Sequence, residues 1–282
     1  MVDNKATARS MERRNRAWYA RPGTVRGMAT GQGFTDEGER AAYSRLATEM
    51  CGRPILDLGV GPGRTVALLQ SISHDYVGVD YAAPMLARAR ARYPAADLRL
   101  ADARDLRAFG EETKALVVFS NHGIDSLAHA DRHRVLREVW RVLEPGGVFW
   151  FSTLNLRGPA AHYRPWRPAA WSASGDAGRA AWPAGSAWLR AWLRVPAHSL
   201  RYWRARRLAR ADVGWAEAPF FAGGWRLVTH YVDLPELRRE LARAGFRDGA
   251  EVLDDAHGRP VAADGLPAQP FSFAVIARKP GR

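Results

Sequence analysis

The run Ile55-Leu56-Asp57-Leu58-Gly59-Val60-Gly61-Pro62-Gly63-Arg64 constrains the fold of this chain more than any other feature. A short apolar stretch carries Asp57 to its end, and glycines at alternate positions then strip side chains from the turn. Glycine enters left-handed backbone conformations without steric cost, so such a turn lets backbone N–H groups approach a ligand at the start of the following helix. A second apolar stretch ends in another carboxylate, Val77-Gly78-Val79-Asp80. A carboxylate at the tip of that neighbouring strand can accept hydrogen bonds from both hydroxyls of a ribose. Strand, glycine turn, helix and second strand make a βαβ unit, which requires a parallel sheet.

Glycine spacing separates two classes of nucleoside site. The dinucleotide fingerprint G-x-G-x-x-G needs its third glycine for close helix–strand packing. Counting from Gly59 and Gly61, that position holds Arg64. The pattern D-x-G-x-G-x-G is followed by Leu100-Ala101-Asp102-Ala103 after a third strand and by Leu116-Val117-Val118-Phe119-Ser120-Asn121 as a fourth. Leu143-Glu144-Pro145-Gly146-Gly147 then leads into a fifth. This ordered set, over residues 54–155, resembles the motifs of the class I S-adenosylmethionine-dependent methyltransferases. The resemblance implies a Rossmann-like α/β fold with a doubly wound, mainly parallel seven-stranded sheet, and S-adenosyl-L-methionine as cofactor. It also implies roles for residues. Gly59, Gly61 and Gly63 face the methionine part, Asp57 assists its ammonium directly or through water, and Asp80 holds the ribose. Tyr81 and Met85 flank the adenine, and Asp102 with the Ala103 backbone recognises its amino edge. Ser120 and Asn121 complete the cofactor side at the end of the fourth strand. Tyr19 closes the pocket from the N-terminal segment, or is a simple surface aromatic.

Apolar runs of strand length alternate with helical segments, as in a parallel sheet covered on both faces. The pattern predicts strands at 55–59, 76–80, 97–101, 115–120 and 148–153, and helices at 65–71, 84–92 and 131–143. Before them, residues 1–50 read as an N-terminal helical segment over the cofactor site. One helix is expected around Met11 to Tyr19 and one from Asp36 to Met50, joined by a turn-prone stretch containing Pro22, Gly23, Gly27, Gly31 and Gly33. The binding core is expected at 51–156. Residues 157–225 hold eight of the eleven tryptophans and several prolines, and read as an insertion roofing the acceptor. Parts of it look helical, Ser186 to Leu193 and Leu200 to Arg210, with Pro196 as an interruption. Residues 226–282 return to the core: an extended segment from Arg226 to Val232, a helix capped by Asp233 with Glu236 at its third position, and strands near 247–253 and 271–277.

Composition limits the partners. No apolar run approaches the ~18 residues needed to cross a bilayer, and no secretory leader is visible, so a soluble, cytoplasmic protein without a membrane partner is expected. The lone Cys51 reads as a small buried hydrophobe. The net charge of +13 is uneven: residues 1–30 contribute +5, residues 157–216 contribute +9, and the remainder −1. Only Lys5, Lys114 and Lys279 are lysines, so the positive charge is arginine, which binds carboxylate and phosphate bidentately. That suits an acidic substrate, or is a solvated face.

Methyl transfer needs a base only when the acceptor carries a proton that must leave. His122, just beyond the fourth strand, and His230 with Tyr231, on the extended segment, are the candidates, because imidazole titrates near neutrality. The alternative for each histidine is a satisfied structural ring. No Asn/Asp-Pro-Pro-Tyr/Phe or Pro-Cys motif of nucleic-acid methyltransferases is present, and no Cys/His cluster signals a metal. The expected function is methylation of an O or N atom of a small aromatic or acidic metabolite, of the kind met in natural-product biosynthesis. Nucleic acid is the disfavoured partner. The Trp-rich insertion is read as an aromatic wall for the acceptor, or as the contact of a homodimer. An RNA-binding methyltransferase and a cofactor-binding regulator without catalysis remain as alternatives, since binding does not prove turnover.

Overall fold

The computed structural model describes residues 4–29, 31, 33–34, 36–167, 186–246, 249–261 and 269–282. Its framework is a parallel ladder built from strands β1 (Ile55–Leu58), β2 (Tyr76–Asp80), β3 (Asp97–Leu100), β4 (Lys114–Phe119) and β5 (Leu143–Leu154). Successive residues of the central strands enter opposite cores. Leu56, Leu58, Val117, Phe149 and Phe151 pack on one face, and Ile55, Leu116, Val118, Val148 and Trp150 on the other. Burial on both faces is why these strands read as continuous apolar runs. β9 (Glu251–Asp254) and β10 (Ser272–Arg278) complete a seven-stranded sheet of order β3-β2-β1-β4-β5-β10-β9, with β10 antiparallel to both neighbours. Strand order reverses between β1 and β4, so the loops leaving those strands diverge and open a crevice.

Helices α4 (Val66–Ile72), α5 (Ala83–Arg92) and α6 (His129–Val142) lie close to the expected bounds. Pro84 occupies the first turn of α5, where its missing N–H costs little. β5 starts earlier than expected, at Leu143, because a register shift at Lys114/Leu116 lets Leu143 pair with Lys114 before the regular ladder from Val148. The N-terminal part holds α1 (Asn4–Tyr19), α2 (Pro22–Met28) and α3 (Glu37–Leu46). α2 lies where a turn was expected. Pro22 starts it, and Gly23 and Gly27 have open space around them, so each costs only the glycine propensity penalty of about 1 kcal/mol. Asp36 caps α3, accepting from Glu39 N at 2.8 Å.

The insertion differs most from expectation. α7 (Ser186–Arg206) runs through Pro196 as one helix. β6 (Arg210–Asp212), β7 (Trp215–Phe220) and β8 (Leu227–Val232) form a separate antiparallel sheet of three strands. The segment from Arg226 therefore belongs to a second sheet beside the core. α8 (Leu234–Arg243) follows, capped by Asp233, whose carboxylate accepts from Glu236 N at 3.0 Å. Cys51 is exposed, a correction to its expected burial. Among the described residues no helix is long and apolar enough to cross a membrane.

Candidate active site

The crevice at the strand reversal holds a cavity of ≈ 290 Å³. Its floor is the glycine turn after β1, and its sides come from the ends of β2, β3 and β4. Of the residues singled out from sequence, Tyr19, Gly59, Gly61, Asp80, Tyr81, Met85, Ala103, Ser120 and Asn121 line it. Gly61 has φ +54°, and an added Cβ would meet nothing closer than Gly59 O at 4.0 Å, so its bare face is open to the cavity. The Gly61 N–H donates to Asp80 Oδ2 at 2.8 Å and Ala82 N–H to Asp80 Oδ1 at 2.7 Å. Each carboxylate oxygen has a second acceptor site, so two remain for a ligand. Burial holds the Asp80 carboxyl above the usual range, against these two amide bonds, which lower it.

Three expected cofactor contacts, Asp57, Gly63 and Asp102, are placed otherwise. Asp57 is fully buried and does not line the cavity; its Oδ2 accepts from Thr65 Oγ1 at 2.8 Å and Tyr76 OH at 2.9 Å. Burial pushes the Asp57 carboxyl up to about 7, and Thr65 stands between it and the cavity. Gly63 serves packing, since a Cβ there would sit 2.9 Å from the Tyr93 ring. Asp102 is gripped by Arg104, with Oδ2 accepting from Nη2 at 2.7 Å and Oδ1 from Nε at 3.0 Å. Burial works against that carboxylate, but the guanidinium keeps its pKa low. The Tyr81 ring carries Arg16 over its face at 4.7 Å and meets the Tyr19 ring edge-on at 6.3 Å.

None of the three candidate bases lines the cavity. His122 sits in a left-handed turn after β4, with Nδ1 buried and unbonded among the described residues. Burial lowers its pKa to about 4. His230 is buried beneath α6, its Nε2 3.0 Å from His129 Nδ1. Tyr231 points to the other side of β8, into a cluster with Leu154 and Ala160. The described part of the insertion contributes no lining residue, and Trp171, expected in its aromatic wall, lies outside the described residues.

Sequence reading missed Glu39 and the working role of Arg64. Glu39 is fully buried on α3, yet reaches the strand ends: Oε1 accepts from Asn121 N at 2.5 Å and Ser152 Oγ at 2.8 Å. Arg64, lining the cavity, contacts Glu39 Oε2 at 3.4 Å, donates to Ser120 Oγ at 3.1 Å and to Gly33 O. Burial opposes ionisation of Glu39, but Arg64 and these bonds keep its pKa below the usual value. Met28 and Gly31 line the mouth, and Asn15 pins α1 above it by donating to both Ser126 O and Val228 O at 2.8 Å. Pro22 was the sequence signal for α2, the part of this roof read as a turn.

Known proteins show the same pattern. A family model described as "Methyltransferase domain" matches residues 55–147. A probable S-adenosylmethionine-dependent methyltransferase of Mycolicibacterium smegmatis is 33% identical over 132 residues, 47% of this chain and 49% of that protein, so the chain spans about half the length of that relative. A trans-aconitate 2-methyltransferase of Methylobacterium radiotolerans is 32% identical over 268 residues, 87% of this chain and 95% of that protein. A solved SAM-dependent methyltransferase of Methanosarcina mazei shares the fold, with a TM-score of 0.53 at 18% identity over 84% of this chain and 98% of that one.

Proposed function

The chain belongs to the class I S-adenosylmethionine-dependent methyltransferases, and from that membership we propose that it methylates a carboxylate oxygen of a small acidic metabolite. The cavity residues fit the cofactor. Asp80 has acceptor sites left for two ribose hydroxyls, Gly61 offers a face without a side chain, and Met85 and Tyr81 give apolar walls for a base. Bound there, S-adenosylmethionine supplies an electrophilic methyl group on a positively charged sulfur.

One observation carries the choice of acceptor: among the described lining residues, Asp80 and Arg64 are the charged groups and no histidine is present. Asp80 is committed to the glycine turn. Tyr19 and Tyr81 have phenol pKa values raised by burial and by Asp80, and stay protonated. A site without a free base suits a nucleophile that arrives deprotonated, and a carboxylate with an ordinary pKa near ~4 does so at neutral pH. The chain then contributes alignment and exclusion of water, which can supply much of the rate. Arg64, with five N–H donors of which Ser120, Glu39 and Gly33 use part, is the cation that would hold a carboxylate in the cavity. The trans-aconitate methyltransferase relative is named for an acidic acceptor, which supports the same reading.

The test is incubation with S-adenosylmethionine and a panel of small di- and tricarboxylic acids, phenols and amines, with products read by mass spectrometry. Alkali-labile methyl esters from the acids are expected. Methylated phenols or amines without any ester would overturn the proposal.

A further inference from the structure

A second polar cluster lies outside the methyl-transfer cavity, where the start of α6 meets β8 and α8. His129 and His133 stand one helical turn apart, on one face of α6. Their Nε2 atoms are 3.3 Å apart. Glu240, on α8, brings Oε1 to 3.5 Å from His129 Nδ1. One ligand atom from each of these three residues lies within 4.8 Å of the others. We propose that His129, His133 and Glu240 bind a zinc ion.

The donor set and the histidine spacing fit that metal. Two imidazoles and one carboxylate are a recurrent zinc set, with a fourth tetrahedral position left for water. Zn–N bonds of about 2.0–2.1 Å put tetrahedral ligands about 3.3 Å apart, the separation found between the two imidazole nitrogens. Glu240 is buried, its Oε2 accepts from Arg132 Nη2 at 3.1 Å, and its Oε1 has no hydrogen-bond partner among the described residues. That oxygen lies beside the His129 ring, 3.5 Å from its Nδ1. A buried carboxylate oxygen left without a donor is costly, and a cation removes the cost.

The surroundings hold the ligands in place. Coordination through His129 Nε2 leaves its Nδ1–H to His230 Nε2 at 3.0 Å, the outer hydrogen bond that fixes a ligand tautomer. Trp215 stacks on the His129 ring at 4.0 Å and 3°. Arg132 is shared by two buried carboxylates, Asp125 at 2.6 Å and Glu240 at 3.1 Å, which fixes the Glu240 side chain beside the histidines. His129 and His133 are only half-buried, which leaves a route from solvent. None of the three ligands lines the cofactor cavity.

The experiment is calorimetric titration of zinc chloride into tag-free, chelator-treated protein, followed by cobalt(II) substitution with visible spectroscopy. The expected result is one ion per chain and a tetrahedral cobalt spectrum. Glu240→Gln and His133→Ala should each weaken binding about tenfold or more. His133→Ala removes a half-buried side chain, so it keeps the test open where Glu240→Gln disturbs Arg132. Absence of stoichiometric zinc binding overturns the site, and so does unchanged affinity in a His129→Ala/His133→Ala double variant. Neither readout depends on methyl transfer, so failure here is separate from failure of the esterification reading.

Discussion

Replacing Asp80 by Asn tests the cofactor assignment with the least disturbance of shape. The carboxylate holds two backbone amides, Gly61 N at 2.8 Å and Ala82 N at 2.7 Å, and its remaining acceptor sites are assigned to the ribose. The amide keeps one oxygen and turns an NH2 group toward a backbone donor or a hydroxyl. Hydrogen bonds to a charged group contribute about 1.5–3 kcal/mol, so losing that part weakens cofactor binding by about 10- to 150-fold. Stability should change less. An unsatisfied backbone N–H costs about 1–3 kcal/mol, but removing a buried charge whose pKa is already raised by burial offsets much of it. Calorimetry with S-adenosylhomocysteine measures the first quantity and urea unfolding the second. Asp102→Asn is the control: Arg104 holds that carboxylate outside the cavity lining, so affinity should stay within about twofold. Equal losses in the two variants, or no loss in Asp80→Asn, would refute the assignment of the ribose to Asp80.

Three further outcomes follow from the geometry. Gly63→Ala forces a Cβ at φ +89° to within 2.9 Å of the Tyr93 ring and should lower unfolding stability by about 2–4 kcal/mol, whereas Gly61→Ala should mainly abolish cofactor binding; equal effects of the pair on binding would count against the placement. Arg132→Met leaves Asp125 and Glu240 buried without their shared cation and should cost about 3–5 kcal/mol in urea unfolding; a loss under about 1 kcal/mol would show that the ion pairs are not formed. Because burial lowers the His122 pKa to about 4, that imidazole is neutral across the working range, and turnover on a carboxylic acid should follow the same pH profile between about pH 5.5 and 8 in wild type and His122→Gln. An acid limb centred near pH 4 that disappears in His122→Gln would restore His122 as a base.

The core was legible because its signals are local. Apolar runs, the glycine turn and the carboxylate at the tip of β2 lie within a few residues of one another, and the sheet places strand ends together once its order is known. The rest depends on contacts distant in sequence. Glu39 acts through Ser152, 113 positions away, and nothing near Glu39 marks it. Asp102 looked free, but the Arg104 guanidinium that takes its carboxylate is held there by Glu12, 92 positions away. His230 and Tyr231, read as candidate bases on an extended segment, lie away from the cavity because a strand pattern does not say which sheet it joins. β8 joins the small sheet, and period-2 alternation sends the two side chains to opposite sides, neither of them the cavity.

The network around Glu39 gives these separate elements a common purpose. One buried carboxylate on α3 receives the backbone of Asn121 and the Ser152 hydroxyl, while Arg64, on the glycine turn, joins it to Ser120. The turn after β4 holds Asn121 and His122 at φ 52° and 56°, conformations that cost non-glycine residues energy and persist only when neighbours over-determine them. Glu39 and Ser152 do that here, since Ser152 Oγ also accepts from His122 N at 2.8 Å. α3, the cofactor turn and the ends of β4 and β5 are thereby held as one unit. A catalyst that works by alignment needs such a wall more than it needs a base, because small misplacement of the reacting atoms is enough to lose the rate.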